Sequence, residues 1–443
     1  MKRLVVLGGG ESGVGAAVLG KVKGFDVFLS DSGTLKDVFR DELVAEGVAF
    51  EEGGHTEALV ANAALVVKSP GIPEDAPVVV GLRRAGIPVI SEIEFAGRYS
   101  SAKFIGITGA NGKTTTTLLC HHLLASAGVR ASLAGNVGFS MARQVARGDE
   151  PEWYVIELSS FQLDDMFDFR CDIAVLCNIT PDHLDRYGHD FGNYARAKFR
   201  ITQNMGPGQA FIYNADDRGT LDYFNSPAAS CVPVSTIGRS RFVNFHDGTI
   251  EMSVGGASLS VSADDLTIRG RHNVYNAMQA MAAALLAGVA PADVARGVKT
   301  FRNAPHRLEF VRSFEGVDYI NDSKATNVDA AQYALDAQTR PIVWIAGGKD
   351  KGNDYAPLLD LCRAKVKALV CLGKDNGKLI DSFGGVVPIV VDTHGIVECV
   401  AECRRLAAPG DVVLLSPCCA SFDLFSSYEN RGDLFRQEVE KLK

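Results

Sequence analysis

The sequence predicts an α/β protein of three domains built on mostly parallel sheets. Three observations carry that expectation. Short apolar runs rich in Val, Ile and Leu, each followed by a Gly-containing turn and a helix-like stretch, recur from end to end: KRLVVLGGG, DVFLSDS, ALVVKSPG, KFIGITG, WYVIELSS, IAVLCNIT, PIVWIAGG, ALVCLG and DVVLLSP. This is the pattern of βαβ units whose strands are buried on both faces. The length, 443 residues, corresponds to about three domains of roughly 150 residues. Two seams, around Ile90 to Lys103 (SEIEFAGRYSSAK) and around Thr300 to Arg307 (TFRNAPHR), divide the chain into 1–95, 96–302 and 303–443. The stretch Ser226 to Gly270, with its short alternating pieces RFVNFHDGTIEMSV and ASLSVSADDLTI, reads as a small antiparallel meander appended to the middle domain.

Composition narrows the function classes. Hydrophobic residues make up 47% and charged residues 22%, and 45 Gly against 16 Pro suit many strand-to-helix turns rather than disorder. With a net charge of -8 and no basic cluster, neither nucleic-acid nor anionic-membrane binding is expected as the main activity. The ten cysteines show no C-x-x-C pair, so reduced thiols in a cytosol are expected rather than a zinc knuckle or a disulfide framework. The N-terminus lacks a signal-peptide pattern, and the longest apolar stretch, Ala277 to Ala290, contains Gln279 and is too short to span a membrane. A cytoplasmic enzyme with no obligate protein partner is the expectation.

In parallel sheets ligands bind beyond the carboxyl ends of the strands, so the polar residues after each apolar run are the candidate sites. Gly8-x-Gly10-x-x-Gly13 follows the first strand and opens a helix, and a second strand ends at Asp31. Such a loop lets backbone approach a diphosphate at a helix N-terminus, which makes a nicotinamide-dependent oxidoreductase the competing reading. The second motif is more specific. KFIGITG runs into Gly109-Ala110-Asn111-Gly112-Lys113-Thr114-Thr115 and a helix, so backbone amides cradle phosphates, Lys113 reaches the β and γ phosphates, and Thr114 is placed to ligate magnesium. It departs from the strict G-x-x-x-x-G-K-[ST] string, since Ile107 stands five before Gly112. ATP or GTP use follows.

Glu157 ends WYVIE beside this loop, where a metal-holding carboxylate belongs. Asn178-Ile179-Thr180-Pro181-Asp182-His183-Leu184-Asp185 crowds acids and a His after the next strand, and Lys198 lies in NYARAKFRIT, which by itself reads as a solvated helix face. Three clusters close the chain: Asn321-Asp322-Ser323-Lys324-Ala325-Thr326-Asn327, Gly347-Gly348-Lys349-Asp350-Lys351-Gly352 and Ser416-Pro417-Cys418-Cys419-Ala420-Ser421-Phe422. Each alone could be a plain turn; three at one expected sheet edge point to a site.

Through GANGKTTT, IELSSFQL, NITPDHLDRY, RAKFRI, GRHNVYNA, HRLE, NDSKATN, GGKDKG and SPCCASFDLF the whole chain resembles the Mur ligases, the ATP-dependent amino-acid ligases of peptidoglycan precursor synthesis. SSFQL, NDSKATN and SPxxASxDxF resemble the branch that adds D-glutamate to UDP-N-acetylmuramoyl-L-alanine, and no DNPR-type signature of the diaminopimelate- or lysine-adding branch is present. The resemblance implies a Rossmann-like N-terminal domain for the UDP end, a central P-loop ATPase domain, and a Rossmann-like C-terminal domain for the incoming amino acid. It further implies two magnesium ions, one held by Thr114 and Glu157, the other by His183 and a carbamylated Lys198. By position, Ser12, Asp31, Ser32, Ser69, Pro70 and Gly71 would line the UDP site, while Asn136, Ser159 and Gln162 would touch the muramoyl substrate. Asn273 and Asn276 would contact adenine; Arg307, Asp322 and Lys324 the nucleotide; Thr326, Lys351, Ser421 and Phe422 D-glutamate, with Tyr428 near that pocket. Gly33 stands where some relatives carry a basic residue.

Overall fold

The computed structural model describes residues 2–268, 270–350 and 352–443. Two compact units form: one comprises residues up to Thr267 together with Tyr275–Phe301, the other Ile268–Val274 with Arg302–Lys443.

The first unit holds two sheets. One is wholly parallel, in the order Ala49–Glu51, Asp26–Ser30, Arg3–Leu7, Leu65–Lys68, Val89–Ile90. The chain steps outward from Arg3–Leu7 on one side and then returns to its other side, so a crevice opens beyond that strand at the reversal. The second sheet has nine strands in the order Ala257–Ser262, Thr249–Val254, Val243–His246, Ser230–Ser235, Ala210–Asn214, Ile173–Leu176, Lys103–Thr108, Trp153–Glu157, Ala131–Gly135. Its reversal falls at Lys103–Thr108, flanked by Trp153–Glu157 and Ile173–Leu176. Those three strands are almost entirely buried, which is why they read as continuous apolar runs.

The antiparallel meander read from the sequence is present in the three strands from Val243–His246 to Ala257–Ser262, and the region assigned to it begins with a strand of the parallel sheet. Ser230–Ser235 and Val243–His246 extend the parallel sheet, and only the last two pairings are antiparallel. Pro233 makes the first of these runs look like an edge piece, yet it lies within the sheet.

The seam after Ile90 is a packed joint. Ser91 caps the helix Glu92–Gly97 by accepting from the Glu94 amide at 3.1 Å. Both acids of its first turn are buried. Glu92 accepts from the Ser140 hydroxyl at 2.7 Å and the Ala142 amide at 2.6 Å, and burial pushes it up to about 7. Glu94 collects the amides of Phe167, Asp168 and Phe169 at 3.1, 3.2 and 2.8 Å, and the Arg98 guanidinium at 2.9 Å. Arg143 adds pairs with Glu11 and Glu42. A Cβ on Gly15 would lie 2.0 Å from the Ser140 hydroxyl, so the helix Glu11–Val22 approaches the helix Met141–Arg147 as only glycine allows. These buried polar joints are why the first two sheets pack as one unit.

The second unit is built on one six-stranded sheet in the order Glu309–Phe314, Val317–Asn321, Val412–Cys418, Ile342–Gly347, Val366–Leu372, Val390–Thr393. Only the first pairing is antiparallel. Trp344 fills its core, and its indole donates to the Ser416 carbonyl at 2.9 Å. None of the ten cysteines is disulfide-bonded. Among the described residues no helix is long and apolar enough to cross a membrane.

Candidate functional site

The loop after Lys103–Thr108 is held open by its glycines and by the neighbouring strand end. Gly109 and Gly112 have φ of +151° and +84°; a Cβ on the first would lie 2.8 Å from Cys177 and on the second 2.3 Å from the Asn276 side-chain oxygen. Asn178 completes the clamp: its carbonyl accepts from Ala110 at 3.0 Å, its side-chain oxygen accepts from Asn111 at 2.9 Å, and its amide donates to the Asn111 carbonyl at 3.0 Å. Gly112 then opens the helix Lys113–Ser126, whose first amides face the loop with the positive end of the dipole. Lys113 curls back to donate to the carbonyls of Gly109 and Ala110 at 2.8 and 2.7 Å. Thr114 and Thr115 are buried in the first turn.

Glu157 is on the adjacent strand and is 1% exposed. Asn136 donates to its Oε1 at 2.8 Å, while Oε2 is buried with no hydrogen-bond partner among the described residues. A carboxylate so placed has one oxygen oriented and one oxygen committed to nothing among the described residues. Gly135, with φ +88°, lets Asn136 reach it, since a Cβ there would lie 2.2 Å from the Glu157 carbonyl. Ser159 and Gln162 spend their polar atoms on one another: they form a capping box that starts the helix Ser160–Asp164.

His183 sits at φ +51°, half-exposed, 3.6 Å from Asp182 and with its ring 5.3 Å from Phe161. Phe161 in turn lies under the Arg186 guanidinium at 4.3 Å, and the Arg186 terminal nitrogens approach the carbonyls of Pro70, Gly71 and Ile72 at 3.4 to 3.5 Å. Lys198, the bland helix lysine of the sequence, is 2% exposed, with its ammonium 4.8 Å over the Tyr194 ring. Burial first, and then the charge of Lys113, hold its pKa well below the ordinary lysine value. Among the described residues no three His, Cys, Asp or Glu side chains form a metal cage; magnesium is ordinarily held by one or two carboxylates plus substrate phosphates.

The crevice of the first sheet gathers the N-terminal candidates. A Cβ on Gly13 would lie 1.8 Å from the Gly8 carbonyl, so the third glycine brings the helix onto the loop. Asp31 accepts from the Gly9 and Gly33 amides at 2.5 and 2.7 Å, which commits both oxygens to the loop. The hydroxyl of Ser69 is buried without a partner among the described residues. Ser12 lies in the first turn of the helix, and Ser32 and Gly71 line a cavity of about 820 Å³ bounded also by His55, Ile72 and Pro73.

The remaining candidates belong to the second unit, except Asn276, which lies under the phosphate loop, and Lys351, which lies outside the described residues. Asn273 is buried in the first turn of Arg271–Leu286. Asp322 accepts from the Leu308 amide at 3.1 Å and the Ser416 hydroxyl at 3.2 Å, and burial pushes it up to about 7. The Lys324 ammonium stands 3.7 Å over the Tyr428 ring. Arg307 and Thr326 flank this group in the chain, Ser421 is buried, and Phe422 is exposed.

Sequence reasoning missed Arg431. Its buried guanidinium donates to the hydroxyl and carbonyl of Ser323 at 2.9 and 2.8 Å, to the Cys419 carbonyl at 3.2 Å and to the Gly347 carbonyl at 3.4 Å. One side chain thus ties together all three strand-end clusters. Its neighbour Gly432 admits His306, since a Cβ there would lie 2.2 Å from the imidazole. The only hint in the sequence is a glycine after an arginine inside a helix.

Three family profiles match the chain: MurD N-terminal domain over residues 4–78, Mur ligase middle domain over 107–284, and Mur ligase, glutamate ligase domain over 306–419. A UDP-N-acetylmuramoylalanine--D-glutamate ligase of Bacteroides fragilis is 51% identical over 449 residues and one of Bacteroides thetaiotaomicron is 50% identical over 450, each alignment covering 100% of both chains. Among solved structures, a pseudomurein peptide ligase type C from Methanothermus fervidus shares the fold at TM-score 0.63 and 19% identity, covering 100% of each chain.

Removing the Arg431 charge should loosen the second unit. Arg431→Met is expected to cost about 3 kcal/mol, because it leaves buried carbonyls without their charged donor. Denaturant unfolding followed by Trp344 fluorescence in a Trp153→Phe background measures it; an unchanged midpoint would contradict the assignment.

Proposed function

Because the chain belongs to the Mur ligase family, we propose that it joins D-glutamate to UDP-N-acetylmuramoyl-L-alanine with ATP, releasing ADP and phosphate, in the cytoplasmic assembly of peptidoglycan precursors. The observation that carries the chemical part of this reading is the pairing of the Gly109–Lys113 loop with Glu157, whose Oε2 is buried and unpartnered one strand away. A carboxylate is a poor acyl donor until it bears a leaving group, and phosphoryl transfer is chiefly positioning and charge neutralisation.

In this mechanism the loop amides and the N-terminus of the helix hold the phosphates of ATP, and Lys113 leaves the Gly109 and Ala110 carbonyls for the β and γ phosphates. Thr114 and Glu157 would hold one magnesium, and His183 with a carbamylated Lys198 would hold a second. Bound magnesium would neutralise charge on the phosphoryl group in transfer. Carbamylation needs a neutral amine to attack CO2 and lose a proton, and the burial of Lys198 beside Lys113 favours that amine. The alanyl carboxylate attacks the γ phosphorus and ADP leaves. The amine of D-glutamate then attacks the acyl carbon, sheds a proton, and phosphate departs as the amide forms.

Ser12, Asp31, Ser32, Ser69, Pro70 and Gly71 are proposed for the UDP end, which fits the unpartnered Ser69 hydroxyl and the adjacent cavity. Asn136, Ser159 and Gln162 are proposed for the muramoyl part; Asn273, Asn276, Arg307, Asp322 and Lys324 for the nucleotide; Thr326, Lys351, Ser421, Phe422 and Tyr428 for D-glutamate. Residues 1–95 would then take the UDP end, 96–302 most of the ATP contacts together with the muramoyl part, and 303–443 D-glutamate together with further nucleotide contacts. The nicotinamide reading of the Gly8–Gly13 loop is disfavoured by family membership.

Phosphate release is expected only when ATP, magnesium, UDP-N-acetylmuramoyl-L-alanine and D-glutamate are all present, with L-glutamate inactive. Omitting each in turn tests this; equal release without the muramoyl substrate would refute it. Lys198→Ala should lose turnover and regain part of it with added formate or acetate, and absence of rescue would remove the carbamate from the mechanism.

A further inference from the structure

The geometry points to Lys68 as a positioning residue for the UDP-bearing substrate, a role that rests on Ser69–Gly71 holding the UDP end. Lys68 closes the strand Leu65–Lys68, where a lysine would ordinarily reach solvent, yet its side chain is 1% exposed. Its ammonium lies 3.0 Å from Asp165, 3.1 Å from Glu74 and 3.0 Å from the Ile72 carbonyl. Arg83 closes the group by pairing with Asp165 at 2.6 Å and Glu74 at 2.7 Å, so two cations and two acids balance.

This cluster holds one element at both ends. The backbone of Lys68 enters the Ser69–Ile72 turn, itself closed by the Ile72 amide on the Ser69 carbonyl at 3.1 Å, and the side chain returns to grip the Ile72 carbonyl. The turn carries the Ser69 hydroxyl, buried with no partner among the described residues, and Gly71 and Ile72 line the 820 Å³ cavity. The opposite anchor, Asp165, is the C-cap of the helix that Ser159 and Gln162 begin, and its carbonyl accepts from Ser91 at 2.8 Å. Lys68 therefore sets the turn against the segment proposed to meet the muramoyl part of the same substrate.

Stability alone does not account for a charge there, because well-packed apolar side chains of similar volume are often as stable as a buried ion pair. What an ammonium adds is direction: donors fixed at once on Ile72, Asp165 and Glu74. A turn fixed before binding loses less freedom when the ligand arrives.

The test uses the full chain. Lys68→Met, and the charge-balanced double variant Lys68→Met with Asp165→Asn, should raise KM for UDP-N-acetylmuramoyl-L-alanine by about tenfold or more while kcat and the KM values for ATP and D-glutamate stay within about threefold. Lys68→Arg should recover part of the loss. Calorimetric titration of the wild type with UDP-N-acetylmuramoyl-L-alanine separates the two readings: no binding overturns the substrate assignment and this inference with it. Wild-type binding together with an unchanged KM in the folded double variant overturns the inference alone. So does failure of both Met variants to fold, which would make the residue structural only.

Discussion

The site depends on the register of one strand. Lys103–Thr108 pairs in parallel with Trp153–Glu157 on one side and Ile173–Leu176 on the other, setting Ile107 beside Glu157 and Thr108 beside Leu176. Parallel pairing brings all three strands to an end at one edge, so the phosphate loop, the Glu157 carboxylate and the Asn178 clamp emerge together. The pairing continues past the strands through Leu158 to Ile107 and Cys177 to Thr108, each at 2.8 Å. A shift of one residue would turn Glu157 to the other face and separate it from the loop.

Around this edge the protein handles charge in two ways. Groups of the scaffold are buried but satisfied: Glu94 by three amides, the Lys68–Asp165 pair by Glu74 and Arg83, Arg431 by carbonyls and a hydroxyl. Loss of one partner from a buried pair of this kind costs about 3–5 kcal/mol. Groups at the candidate site are left incomplete: Glu157 Oε2 and the Ser69 hydroxyl are buried without a partner among the described residues. An unmet buried polar atom is a cost to the folded protein that a ligand can remove; such atoms also occur away from this edge, at Asn244 and Asn376, so it is their place beside the loop and the turn that singles out Glu157 and Ser69.

The parts legible in the sequence were those whose chemistry is local. The Gly109–Lys113 loop was legible because glycines, a lysine and threonines stand in consecutive positions after an apolar strand, and the strands because buried parallel strands are runs of apolar residues. Lys198 was legible only through resemblance; alone it reads as surface, since nothing in NYARAKFRIT tells that its face is buried. Arg431, Lys68 and Glu92 escaped because each acts on residues far away in the chain: Arg431 on Ser323, Lys68 on Asp165, Glu92 on Ser140. Their partners come from the tertiary fold, and no periodicity encodes them.

In the proposed reaction this edge activates a substrate carboxylate as an acyl phosphate. Turnover of UDP-N-acetylmuramoyl-L-alanine carrying heavy oxygen in the alanyl carboxylate, with mass analysis of the released phosphate, tests it most directly. The released phosphate is expected to have acquired one oxygen from the carboxylate; unlabelled phosphate accompanying labelled product would contradict acyl-phosphate activation.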